Sequence, residues 1–158
     1  MADLTVTLTE TLILNGKEQG ASKSTNLGAC TDVYKRTFTL DAGTATTIAE
    51  FKADVSTSQQ ALDLEGVKYL RITNLHGSAD VGLTLVISAD EDGAGDHATT
   101  ILLNPEMHFV MGELHDAIAT SDSSTAHVEI GSLVDLQSIV VKCASAAQIE
   151  LFVAGTIA

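Results

Sequence analysis

Tryptophan is absent from these 158 residues, proline occurs once, and aromatic side chains make up only 4% of the chain. Glycan-binding sites commonly present aromatic faces, and two tyrosines inside alternating stretches, Tyr34 and Tyr69, offer little to build one. Cysteine occurs twice, at Cys30 and Cys143, with no Cys-x-x-Cys pair and no neighbouring histidine to complete a zinc set. Both are expected as packed thiols. A disulfide between them would require their strands to be neighbours, which the sequence leaves open. No run approaches the roughly 20 consecutive apolar residues of a membrane-spanning helix, and polar residues alternate through every apolar stretch, so no membrane partner is expected. The start Met1-Ala2-Asp3 has neither the basic residues nor the apolar run of a secretory leader, and synthesis in a cytoplasm is expected.

Positive charge is missing from the middle of the chain. Residues 1 to 71 hold seven of the eight Lys and Arg and nine carboxylates; residues 72 to 141 hold no Lys or Arg and eleven carboxylates. The remainder, with Lys142 and Glu150, is neutral, and the whole carries −13. Nucleic-acid binding rests on Lys and Arg neutralising phosphates, and anionic membranes attract the same residues, so an acid block of this size excludes both as natural partners. It suits basic protein surfaces or divalent cations, and it also keeps a protein soluble.

Alternation is what the chain has in abundance. From Leu4 to Leu14 the even positions are Leu4, Val6, Leu8, Glu10, Leu12 and Leu14, with Thr5, Thr7, Thr9 and Thr11 between them, and Asn15-Gly16 stops the run as a turn dipeptide. Lys17 to Cys30 is polar and contains Gly20 and Gly28, which predicts a long loop. Val33 to Leu40 alternates again, Asp41-Ala42-Gly43 turns the chain, and a further strand runs from Thr44 to Phe51. Ser56 to Gln60 marks another loop. Val67 to Thr73 and Val81 to Ile87, joined by Asn74 to Asp80, predict a β-hairpin. Thr99 to Leu103 and Met107 to Met111 flank the Asn104-Pro105-Glu106 turn. Leu114 to Ala119 suits a short helical turn, and Ser121 to Thr125 has loop composition. Ser138 to Cys143 and Gln148 to Ala154 predict a second hairpin. About nine short strands with no repeat and no long amphipathic helix predict an all-β, antiparallel β-sandwich or jelly roll. A single domain is expected over residues 1 to 158, which buries enough surface for one core, with residues 1 to 14 as an edge strand or assembly arm.

Candidate chemistry is sparse. Asp90, Asp92 and Asp96 take positions 1, 3 and 7 of a calcium loop, but Ala94 stands at position 5 and Ile101 where the bidentate Glu belongs. A solvated loop is the expected reading, with calcium binding there left open. His76, His97, His108, His115 and His127 lack the spacing that sets two nitrogens on one metal. Glu113, His115 and Asp116 crowd together, which by itself does not define acid–base work. There is no Gly-x-Ser-x-Gly elbow, and Gly93-Ala94-Gly95 lacks the Lys-Ser/Thr of a phosphate loop. No catalytic, cofactor-binding or metal-binding residue is assigned, and the chain is not expected to be an enzyme.

The succession Lys68-Tyr69-Leu70-Arg71-Ile72-Thr73-Asn74, Leu103-Asn104-Pro105-Glu106, Leu136-Gln137-Ser138-Ile139-Val140-Val141 and Ile149-Glu150-Leu151-Phe152-Val153-Ala154-Gly155 resembles small β-rich virion proteins of tailed bacteriophages. The resemblance covers residues 67 to 155. It implies a structural role in the virion, as a decoration or cement protein on the outside of the capsid, assembled in the host cytoplasm. The partners implied are the major capsid protein or other virion proteins and further copies of the chain in a homo-oligomer. A tail or receptor-engaging protein, with Thr120 to Ala126 as its exposed loop, and a calcium-dependent binding module are the alternatives.

Overall fold

The computed structural model describes residues 2–52, 61–87, 97–112, 114–119 and 133–157. All regular elements among them are strands. The first four, β1 (Ala2–Thr9), β2 (Ile13–Leu14), β3 (Lys17–Glu18) and β4 (Ser22–Cys30), stand apart from the rest. The next nine are β5 (Asp32–Leu40), β6 (Thr46–Lys52), β7 (Ala61–Asp63), β8 (Val67–Asn74), β9 (Val81–Ile87), β10 (His97–Leu103), β11 (His108–Met111), β12 (Leu136–Cys143) and β13 (Ala147–Gly155). They form a five-stranded sheet, ordered β10-β9-β12-β6-β7, and a four-stranded sheet, ordered β11-β8-β13-β5.

The pairing is nested. β5 pairs with β13, β6 with β12, β8 with β11 and β9 with β10, all antiparallel. One long hairpin folded over itself into two facing sheets has this order, which is the jelly roll. Of the two alternatives raised by the sequence, this is the finer one. β7 is an addition, lying parallel to β6 at the sheet edge.

Nesting corrects both predicted hairpins. β8 and β9 lie in opposite sheets, as do β12 and β13. Stacked sheets are about 10 Å apart, and the Asn74 to Asp80 connector crosses that gap instead of closing a tight turn. Alternation had identified each strand as half-buried, but a half-buried strand pairs with a sequence neighbour or faces it across the core with the same pattern.

The core is aliphatic. Leu70 and Ile72 of β8, Leu83 and Ile87 of β9, Ile139 and Val141 of β12, and Ile149, Leu151 and Val153 of β13 meet between the sheets, with Leu40 and Ile48, all but sealed from solvent. Each such side chain contributes about 1.5–3 kcal/mol by its burial. At one end of the sandwich the backbone is pressed together: a Cβ added to Gly155 would lie 1.9 Å from the Gly66 carbonyl oxygen, and Thr156 N–H donates to that same oxygen at 2.8 Å. At the other end Asn74, fully buried, ties three segments. Its Nδ2 donates to the carbonyls of Ala79 (2.8 Å) and Leu103 (3.1 Å), its Oδ1 accepts from His76 N–H (3.0 Å), and its own N–H donates to Met107 (3.0 Å).

The predicted loop from Lys17 to Cys30 is instead the return strand of an arm. β1 and β4 pair from Ala2 opposite Cys30 to Thr9 opposite Ser22. Beyond them the ribbon continues through β2 and β3, with Ile13 opposite Glu18. Asn15 and Gly16 turn the tip with φ of 52° and 73°, the two positive values that a two-residue type I′ turn needs. Polarity on both faces had hidden the strand: Ser22, Ser24 and Asn26 alternate with Lys23 and Thr25, which leaves no hydropathy contrast.

Leu114 to Ala119 forms no helix. Asp116 takes a left-handed backbone (φ 47°), and Ile118 bridges to Val134. The predicted loops at Ser56 to Gln60 and Ser121 to Thr125 lie outside the described residues.

Candidate functional site

Three parts of the molecule gather groups capable of chemistry or recognition. The first is His115. Its Nδ1 lies 2.9 Å from Asp135 Oδ1 and its Nε2 3.4 Å from Asp116 Oδ2, while Asp116 N–H donates to the same Asp135 oxygen at 2.9 Å. Partial desolvation pulls the imidazole pKa down, but the carboxylates of Asp116 and Asp135, with Glu65 further off, outweigh it and raise the net value above the ordinary one. The trio therefore favours an imidazolium pinned between two carboxylates. One atom from each of the three lies within 4.8 Å of the others, so the set has the donors for a divalent cation. Its side chains are largely exposed, and the groups here are satisfied by one another. Of the predicted crowd, His115 and Asp116 come together, and Glu113 lies outside the described residues. Asp135, distant in sequence, was missed because only the Ile118–Val134 bridge brings it alongside.

The second part is the outer face of the four-stranded sheet. Glu150 of the central strand β13 accepts from Arg71 of β8 at 2.7 Å and from Lys35 of β5 at 3.0 Å. The hydrogen bond from Lys35 holds the Glu150 carboxyl below its usual range; partial burial opposes this, and Arg71 adds to it. The Arg71 guanidinium sits 5.5 Å from the Phe152 ring centre, and Tyr69 meets the same ring edge-on at 6.1 Å. These contacts knit β5, β13 and β8 on the solvent side.

The arm is the third. From Thr7 to Asn26 every residue is exposed except Gly20, which is half-buried, so the ribbon leaves the sandwich. Fourteen or so residues of extended chain span roughly 40 Å. At the root, Thr31 N–H donates to Gly155 at 3.0 Å and Lys68 Nζ donates to the Ala29 carbonyl at 2.7 Å. One face is a ladder of hydroxyls, with Thr7 to Ser24 at 2.8 Å and Thr9 to Ser22 at 3.1 Å. Near the tip the Glu18 carboxylate accepts from Leu12 N–H (3.0 Å) and Gly20 N–H (2.7 Å), and these backbone donors, Gly20 first, lower its pKa. Leu8, Leu12, Ile13 and Leu14 are all more than half exposed. Soluble proteins seldom display four large aliphatics on a single ribbon without a use for them. The predicted assembly arm at residues 1 to 14 is thus half of a longer device, residues 2 to 30.

The remaining sequence candidates disperse. Asp90, Asp92 and Asp96 lie outside the described residues, as do His127 and Thr120 to Ala126. His76 Nδ1 accepts from the N–H groups of Ser78 and Ala79, and His108 Nδ1 pairs with the Thr73 hydroxyl, so each serves its own neighbourhood. Cys143 is buried and Cys30 half-buried, both as free thiols. They sit at opposite ends of the sandwich, Cys143 against the Asp41 carbonyl and Cys30 at the arm root. No helix is long and apolar enough to cross a membrane. Compared with known protein families, with curated proteins and with solved structures, the chain finds no match.

Proposed function

We propose that this protein is a non-enzymatic structural protein of a tailed-phage virion, a decoration or cement protein that attaches to the outer head surface and stabilises it. The observation that carries the reading is the arm: a ribbon with an aliphatic tip, rooted on a jelly-roll body and unsupported beyond its root. A two-stranded ribbon is marginally stable alone in water and gains order by lying on another surface. The acid block supports an outward position, because a surface facing packaged DNA would be repelled by it. The jelly roll adds support by analogy of fold, since it recurs in viral shell proteins among other roles. The resemblance of residues 67 to 155 to small virion proteins points the same way.

The reading is tested by adding the purified protein to undecorated heads of the phage that encodes it. The intact chain should sediment with the heads and raise the temperature at which they break, and a chain with Leu12, Ile13 and Leu14 changed to Ser should stay in the supernatant. Heads that take up no protein would reject the proposal.

A further inference from the structure

The arm tip and one corner of the body are complementary. Leu12, Ile13 and Leu14 form the tip, at 55%, 68% and 57% exposure. The corner is the set of turns held by Asn74, where Leu75, Leu102 and Met107 are 46%, 64% and 57% exposed. Asn74 bonds directly to Leu103 and Met107, which places these three apolar side chains around one hub.

Charge agrees with shape. Residues 2 to 30 carry Lys17 and Lys23 against Asp3, Glu10 and Glu18, a net of −1, so the rest of the chain carries −12. Two bodies approaching face to face would repel, whereas a nearly neutral arm crosses onto an acidic body at little electrostatic cost. At the tip the Glu18 carboxylate is occupied by arm amides, which leaves Lys17 as the forward charge. The corner carries Asp80 and Glu106, and no Lys or Arg occurs from residue 72 to 141.

Position completes the case. The arm root sits at the Gly155 end of β13, and Asn74 lies opposite Ile149 near its other end. Root and corner are therefore separated by most of the length of a strand, roughly 25 Å, and the arm spans roughly 40 Å.

We propose that the arm tip of one copy seats on the Asn74 corner of a second copy, in a head-to-tail contact. Such a contact uses two different patches, so it closes into a ring or continues as a chain. It goes beyond the proposed function, because it concerns contacts between copies and requires no virion.

Two variants test it: Ile13→Asp with Leu14→Asp at the tip, and Leu102→Asp with Met107→Asp at the corner. All four side chains are exposed, and circular dichroism melts verify that each variant folds. In sedimentation velocity the parent chain should shift with rising concentration to multiples of 16.5 kDa, and each variant should remain at one. Mixed in equal amounts, the variants should form a pair of one tip-variant and one corner-variant chain and nothing larger, because only one intact tip and one intact corner can meet. A parent chain that stays monomeric at every concentration overturns the inference, as does a mixture that yields no pair or an oligomer that survives both variants. A monomeric parent that still binds heads would leave the proposed function standing; a self-assembling parent that ignores heads would do the reverse.

Discussion

Asn74 occupies a place where most proteins put an aliphatic residue, fully buried at the rim of a core of Leu, Ile and Val. Its amide satisfies two carbonyls and one N–H, and those groups have no other partner to turn to in that position. Asn74→Ala should therefore cost about 3 kcal/mol, since each stranded buried polar group costs roughly 1–3 kcal/mol and the three share one site. Urea unfolding reads it as a lower midpoint with an unchanged slope; a midpoint within error of the parent would contradict the role. The residue type was legible, because Asn opens a turn-rich connector. Its burial was not: one of its partners, Leu103, is 29 residues away. His115 repeats the lesson, with one partner adjacent and the other, Asp135, reachable only through the fold.

The arm shows how far an element can be read from its own pattern. β1 was legible from its alternation of aliphatic and threonine side chains, and its turn from Asn15-Gly16. β4 was not, because a strand with two polar faces looks like a loop until its partner is known. The arm's order near the tip should depend on pH through Glu18. Its folded pKa is lowered by the amides of Gly20 and Leu12, so the stabilisation is fully present above the unfolded value and is lost as pH falls through the folded one. Protection of the Leu12 and Gly20 amides from hydrogen exchange, corrected for the intrinsic rate, should vanish over that acidic range. Glu18→Gln should show the low protection at every pH. Protection unchanged down to the acid unfolding of the body would refute this role for Glu18.

For the molecule as a whole, the fold class followed from counting half-buried strands, and the connectivity did not. Period-2 patterning assigns a face to each strand but no sheet, so neighbours in sequence were paired when they face each other across the core. Nested order makes β13 indispensable: it is the shared neighbour of β5 and β8. A chain ending at Ala146 should show no cooperative thermal transition, whereas a chain lacking only residues 2 to 30 should keep one; calorimetry distinguishes the two. The same nesting sets a schedule for biosynthesis. Asp32–Leu40 emerges from the ribosome early, but its partner Ala147–Gly155 is translated more than a hundred residues later, on the order of ten seconds at about 5–20 residues per second. Until then Leu40, Leu70 and Ile72 face the cytosol without cover, and the nascent chain becomes a client for chaperones that hold aliphatic segments.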